Sequence, residues 1–296
     1  MTKFIQFELW KDCKQGCKFC FNRGQRPVNK EKSLKYVLDQ LNQMEPEQYD
    51  YIALIGGELF NGEIDDYLYT FFAIMKRIKE LKPQKVFLMT SLIFDIGKTL
   101  IPVMKGLEKI LDMRDMVVLC TSWDKCWRFG EGDQALWSKN MLWLANHYPE
   151  VELHVEMIMT QHLIDAVNND ELNLSLFQQI FRCSVDFIEP STGLWFKNKH
   201  DMQNQLPGFF PTKSSFVKFL DKVKDILDLE TFLSMEVRSD ELHYYEDGIL
   251  SVAKNRRANA GVCELRDKSR KYELGFIDSD VPMRSVVEAY LDLTRE

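Results

Sequence analysis

Six short apolar runs, each followed by a stretch with helical spacing or, at the sixth, by a long connection, divide residues 4 to 189 into repeating units. The runs are Phe4 to Trp10, Tyr51 to Ile55, Lys85 to Ser91, Asp115 to Thr121, Val151 to Thr160 and Val185 to Glu189. Their length, β-branched and aromatic content, and the clean alternation in the first and fifth read as strands. The intervening segments predict helices over about Lys30 to Met44, Asp65 to Leu81, Gly97 to Met113 (with Pro102 near its start), Asp133 to His147 and Leu163 to Phe181. Strand–helix units in such succession call for an α/β fold with a parallel sheet and right-handed crossovers. Curled, six of them make a partial (β/α)6 barrel, TIM-like but open. Chemistry in such barrels sits at the carboxyl ends of the strands, so the loops that follow the strands are the places to search.

The first of these loops carries three thiols, Cys13, Cys17 and Cys20, at a Cys-x3-Cys-x2-Cys spacing. Thiolates are soft ligands, and iron–sulfur clusters are held by such cysteine groups. Three ligands would leave one iron of a four-iron cluster open, much as catalytic zinc sites keep one position free. A structural zinc site is the competing reading, but the next Cys or His after Cys20 is Cys120. Three unrelated thiols would seldom crowd so tightly in a chain with seven cysteines. Cys120, Cys126, Cys183 and Cys263 stand alone, as small buried hydrophobes do.

Other strand ends add candidates. Gly56 and Gly57 let backbone approach a ligand, and the carboxylate of Glu58 can accept from an ammonium group. In Thr121-Ser122-Trp123-Asp124, a hydroxyl and a carboxylate two residues apart point the same way, which suits a diol. Arg128 follows and offers either a carboxylate clamp or a surface ion pair. On the fifth strand, Glu152, His154, Glu156, Ile158 and Thr160 share one face and an apolar set the other. The apolar set must face the helices, so Glu156 and His154 point toward the lumen and are candidates for catalysis. Glu189 and Trp195 lie at and after strand six.

The run Cys13-Lys-Gln-Gly-Cys17-Lys-Phe19-Cys20, with an aromatic before its third Cys, resembles the signature of the radical S-adenosylmethionine (radical SAM) superfamily. That resemblance, which covers about Phe4 to Glu189, implies a [4Fe–4S] cluster on the three thiols. Its open iron would chelate the amino and carboxylate groups of the methionine moiety. Gly56-Gly57-Glu58 is similar to the Gly-Gly-Glu-Pro motif that binds the amino group, with Leu59 in place of the Pro. By the same resemblance Phe19, Ser122, Asp124 and Arg128 belong to the cofactor site, and Glu189 and Trp195 to adenine or substrate. The implied reaction is reductive cleavage to a 5′-deoxyadenosyl radical that abstracts hydrogen from a small molecule, nucleoside or peptide. A flavodoxin- or ferredoxin-type donor would supply the electron. Cys20-Phe21-Asn22 is also loosely similar to glycyl-radical-enzyme activases. A non-catalytic iron–sulfur or zinc protein is the alternative of a different class.

The other 106 residues fit the same expectation, with 1–190 as the barrel core (cluster loop 11–25) and 191–296 as a lid and a small α+β extension over its opening. The second part starts with a long aromatic connection, Ser191 to Pro211. An amphipathic helix follows from Thr212 to Leu229, capped by Thr212 or Ser214, then short strands over 232–238, 241–245 and 249–253, and a helix from Pro282 to Leu293. A charged fraction of 28% and no apolar stretch of bilayer length predict a cytoplasmic protein with no membrane partner, and a net charge of −7 gives no strong nucleic-acid signal. The start, Met-Thr-Lys-Phe-Ile-Gln, leads into a strand and not into a signal peptide.

Overall fold

The computed structural model describes residues 4–9, 13–20, 30–60, 68–192, 196–227, 229, 261–262 and 275–294. Six parallel strands run side by side in chain order: β1 (Phe4–Glu8), β2 (Tyr51–Ile55), β3 (Lys85–Met89), β4 (Val117–Ser122), β5 (Glu152–Ile158) and β6 (Ser184–Ile188). The sheet is not closed. A two-residue strand, β7 (Gly261–Val262), pairs antiparallel with Phe7 and Glu8 on the free edge of β1. Period-two alternation decides the faces. Phe7, Leu54, Leu88, Leu119 and Val155 are buried beneath the helices, and their strand neighbours point into the lumen.

The helices lay apolar stripes on the outer face. In α2 (Leu68–Leu81), Phe71, Ile74, Met75 and Ile78 follow the i, i+3, i+4, i+7 spacing and are buried. Each such side chain contributes about 1.5–3 kcal/mol. α1 (Lys30–Asn42) packs beside it, and α5 (Asp133–His147) spans the expected residues.

Three expectations change because polar side chains start new helices. The segment expected as one helix from Gly97 to Met113 is α3 (Leu100–Leu107) and a single turn, α4 (Met113–Met116). Asp112 separates them by accepting from the N–H groups of Arg114 and Asp115. The segment after β5 is likewise two helices, α6 (Gln161–Asn168) and α7 (Leu174–Phe181). Thr160, expected in the strand, caps α6, and Asn173 caps α7. The connection after β6 contains α8 (Lys199–Gln205), capped by Asn198. Its sequence offers Met202 as its one apolar anchor, which is why no helical stripe announces it.

Beyond α8, α9 (Lys213–Val223) starts at its Thr212 cap and stops short of Leu229. α10 (Met283–Thr294) packs on α9, where Tyr290 Oη donates to Asp221 at 2.7 Å. The three strands expected over 232–253, the start of the second helix at 65–67, and Trp195 lie outside the described residues. Among those described, no helix is long and apolar enough to cross a membrane.

One buried contact holds the rim loop after β3. Leu92 adopts a left-handed backbone (φ 55°), and its carbonyl and that of Phe94 both accept from Asn140 Nδ2 of α5 at 2.9 Å. Asn140→Ala strands both carbonyls away from water. The expected loss is about 2 kcal/mol in urea unfolding; an unchanged midpoint would show that the loop holds itself.

Candidate active site

The cysteine loop lies on the carboxyl-end rim, directly after β1, and its neighbours fix it there. Lys18 N–H donates to the Trp127 carbonyl at 3.0 Å, and Lys18 Nζ lies 5.3 Å from the centre of the Trp127 ring. Gln15 Nε2 donates to the Ile93 carbonyl at 3.1 Å. Phe19 packs 5.9 Å from Phe209, at the margin of a second apolar cluster built from Phe196, Met202, Leu206, Phe209 and Phe210. The loops after β3 and β4 and the segment carrying α8 therefore all meet at the three thiols.

Burial pushes the Cys13 thiol up to about 12. It raises Cys17 as well, against the pull of the Arg128 guanidinium. A metal that binds here must displace those protons. No three of the described His, Cys, Asp and Glu side chains converge on a single-ion site. A zinc tetrahedron needs such convergence. A four-iron cluster takes its thiolates on separate irons, and an all-sulfur donor set is its usual holder. The three thiols present are a donor set that fits a cluster.

Two rim carboxylates turn out to be engaged with protein groups. Glu58 is buried and accepts from Phe60 N–H at 3.0 Å, Thr90 Oγ1 at 2.6 Å and Ser91 N–H at 2.5 Å, which fastens the end of β2 to that of β3. Gly56 and Gly57 are left half-buried beside it. Asp124 is also buried, and its Oδ1 accepts from the N–H groups of Cys126, Trp127 and Arg128 at 3.1, 2.5 and 3.2 Å. Burial nevertheless raises its carboxyl above the ordinary value. Ser122 ends β4, so Ser122 and Asp124 do not share a strand face: Asp124 shapes the following turn. Cys126 in that turn is an exposed thiol.

Arg128 makes no ion pair among the described residues. Its Nε, and Trp127 Nε1 beside it, are buried without a hydrogen-bond partner among those residues. The guanidinium is within electrostatic reach of both Cys17 and Glu156. Donors buried in that way ask for an acceptor that the described residues do not provide.

In the lumen, Glu156 pairs in register with Ser122 on one side and Asp186 on the other. Burial and the neighbouring Asp186 raise its carboxyl to about 7, opposed by Arg128 and His154. His154, two residues nearer the amino end of β5, has Nδ1 3.1 Å from Asp186 Oδ2 and Nε2 2.6 Å from Glu152 Oε1. Burial disfavours the imidazolium, and the hydrogen bonds to Asp186 and Glu152 outweigh it, so its pKa is raised. Lys85 Nζ completes the floor at 3.0 Å from Glu152 Oε2.

Arg128 thus has both the thiol loop, at Cys17, and the lumen, at Glu156, within electrostatic reach, and His154 lies one inward-facing position nearer the amino end of β5. Glu189 is not brought into it: its Oε1 accepts from Met283 N–H at the start of α10, and it fastens the C-terminal helix. Asp186 and Lys85 escaped the sequence reading. Asp186 alternates with Val185 and Phe187 on a run of five residues, a signal too short to distinguish lumen from surface.

Residues 5–122 match the family of the 4Fe-4S single cluster domain. No curated protein matches the chain. Among solved structures, the fold is similar to that of the radical SAM enzyme anSMEcpe in its native form with bound AdoMet and Kp18Cys peptide, at a TM-score of 0.50 and 15% identity. The likeness covers 78% of this chain and 61% of that one, so this chain spans less than two thirds of that protein's length. The single-cluster match begins in β1 and runs through β4, and the open parallel barrel that carries it is the fold shared with that enzyme.

Proposed function

We propose that the chain is an enzyme that holds a [4Fe–4S] cluster on Cys13, Cys17 and Cys20, binds S-adenosylmethionine on the rim and acts on a substrate in the lumen. The observation that carries this reading is the Arg128 Nε, buried without a hydrogen-bond partner among the described residues and within electrostatic reach of Cys17 in a three-thiol loop. Held on Cys13, Cys17 and Cys20, the cluster would supply the electron for reductive cleavage of S-adenosylmethionine, and an external flavodoxin- or ferredoxin-type donor would resupply it.

The chain's own residues bind, orient and exclude water. Arg128 is suited to a carboxylate, as the methionine end of the cofactor presents, because its fork donates to planar acceptors. Gly56 and Gly57 admit close backbone approach, and Glu58 keeps that turn in place through β3. Ser122 and the free edge of Asp124 lie toward the ribose side. Phe19 and the aromatic cluster under α8 shut the rim against water. Glu156 would meet substrate in the chamber, beside its register partner Asp186, which His154 holds at 3.1 Å. The peptide held by the structural neighbour supports a peptide as one substrate class for this chain, beside a small molecule or nucleoside.

Anaerobically reconstituted protein given dithionite and S-adenosylmethionine is expected to form 5′-deoxyadenosine, and Cys17→Ala to form none. Absence of the nucleoside from cluster-loaded wild type would leave a binding protein.

A second expectation concerns pH. The folded chain holds the Glu156 proton more tightly than the unfolded chain does, since the carboxyl rises from 4.5 to about 7. The stability this contributes is complete below the unfolded value and is lost as pH climbs through about 7. Glu156→Gln removes the dependence. Between about pH 5 and 8 the wild type should lose up to ~3 kcal/mol relative to the variant in urea unfolding. Parallel curves would mean that Glu156 titrates as an ordinary exposed carboxylate.

A further inference from the structure

The thiol loop reverses the charge of the chain that carries it. Between residues 11 and 26 stand five basic residues, Lys11, Lys14, Lys18, Arg23 and Arg26, against one acid, Asp12, in a protein of net charge −7. Of these, Lys14 and Lys18 are described and exposed, whereas Cys17 is buried and Cys13 and Cys20 are half-buried. The loop therefore turns its thiols inward and its ammonium groups outward. Gly16 lies between the two lysines, is itself exposed, and a Cβ placed on it would meet nothing within 4 Å. On the inner side, Phe19 packs against the buried aromatic cluster of Phe196, Phe209 and Phe210.

A third ammonium group joins this outer face. Lys125 is exposed in the turn after β4, and that turn is bonded to the loop where Lys18 N–H donates to the Trp127 carbonyl. Lys18 Nζ, 5.3 Å from the centre of the Trp127 ring, ties the two segments together again. Acids border the face but are turned to their own segments. Asp124 accepts from three N–H groups of its turn, Asp95 Oδ1 from Gly97 N–H at 2.9 Å, and Asp165 Oδ1 from Gln161 Nε2 at 2.7 Å. Lys14, Lys18 and Lys125 make no ion pair among the described residues.

We propose that this face docks the electron donor: a small acidic redox protein, its low-potential centre at its own surface, seats on Lys14, Lys18 and Lys125 over Gly16. The proposal rests on the reading of the three thiols as a cluster site and adds where the electron enters. One electron leaves the reduced centre of the partner for the cluster, no bond forms or breaks, and no proton moves. Opposite charges speed encounter, and small electron-transfer contacts are weak, which suits a donor that must leave after each electron.

Cluster-loaded protein, oxidised and without S-adenosylmethionine, tests the face with a flavodoxin as the probe. Calorimetry at low ionic strength should give a complex that is at least about tenfold weaker in Lys14→Glu/Lys125→Glu. The wild-type complex should also be lost at about 0.5 M salt, where screening shortens the reach of the lysines. Lys18 is kept because it also fastens the loop to Trp127. Lys79→Glu/Lys105→Glu, exposed in the last turns of α2 and α3, makes the same change of charge away from the rim and should bind as wild type does. Reduction by flavodoxin hydroquinone should slow with the loss of affinity, while dithionite reduces every variant to the same extent. No complex with wild type, equal affinity in Lys14→Glu/Lys125→Glu, or an equal loss in the control variant would overturn the docking face. So would an equal loss of affinity for a single-stranded RNA, the mark of an unspecific anion surface. Docking that fails while dithionite still reduces the cluster removes this proposal alone, whereas protein that takes up no iron removes the cluster reading and this proposal with it.

Discussion

Parallel register across β4, β5 and β6 is the constraint on which the chamber depends. Cα partners in a parallel ladder share a face, so Cys120, His154 and Ser184 stand at one level and Ser122, Glu156 and Asp186 at the next. A slip of one residue would turn Val155 and Met157 into the lumen and Glu156 under the helices. Burial prevents it. Leu153, Val155 and Met157 are enclosed by the helix layer, each contributing about 1.5–3 kcal/mol, and no partner there would satisfy a displaced carboxylate. The hydrophobic face thus aims the polar one.

The same accounting sorts the carboxylates. Glu58 and Asp124 accept two and three backbone N–H groups respectively, Glu58 also a hydroxyl, and both hold loops in place. Glu189 caps α10. Glu156 has no such bond among the described residues, and burial without a fixed donor raises its pKa into the neutral range. Glu58, Asp124 and Glu189 are thus taken up by backbone contacts and Glu156 is not, although all four look alike as acidic residues near strand ends.

That distinction marks how far the sequence could be read. The six units and the thiol loop were legible because period-two alternation, helical spacing and Cys-x3-Cys-x2-Cys are local patterns. The breaks at Asp112 and Asn173 were not, since each depends on a side chain choosing to cap a new helix over continuing the old one. Helix α8 has too few apolar positions to show a stripe, and the apolar cluster of Phe209 and Phe210 is completed by Phe19 and Trp127 from distant loops. Glu58 and Glu189 lie at the expected strand ends, but their engagements with Ser91 and Met283 are contacts between segments far apart in the chain. The pairing of His154 with Asp186 waits on register in the same way.

The central claim is that three thiols on this rim hold a four-iron cluster with one iron left for S-adenosylmethionine. Electron paramagnetic resonance of the reduced, anaerobically reconstituted protein addresses it most directly. The account predicts a four-iron signal whose g values shift on addition of S-adenosylmethionine and which is absent from Cys17→Ala. A signal indifferent to S-adenosylmethionine, or stoichiometric zinc with no iron, would contradict it.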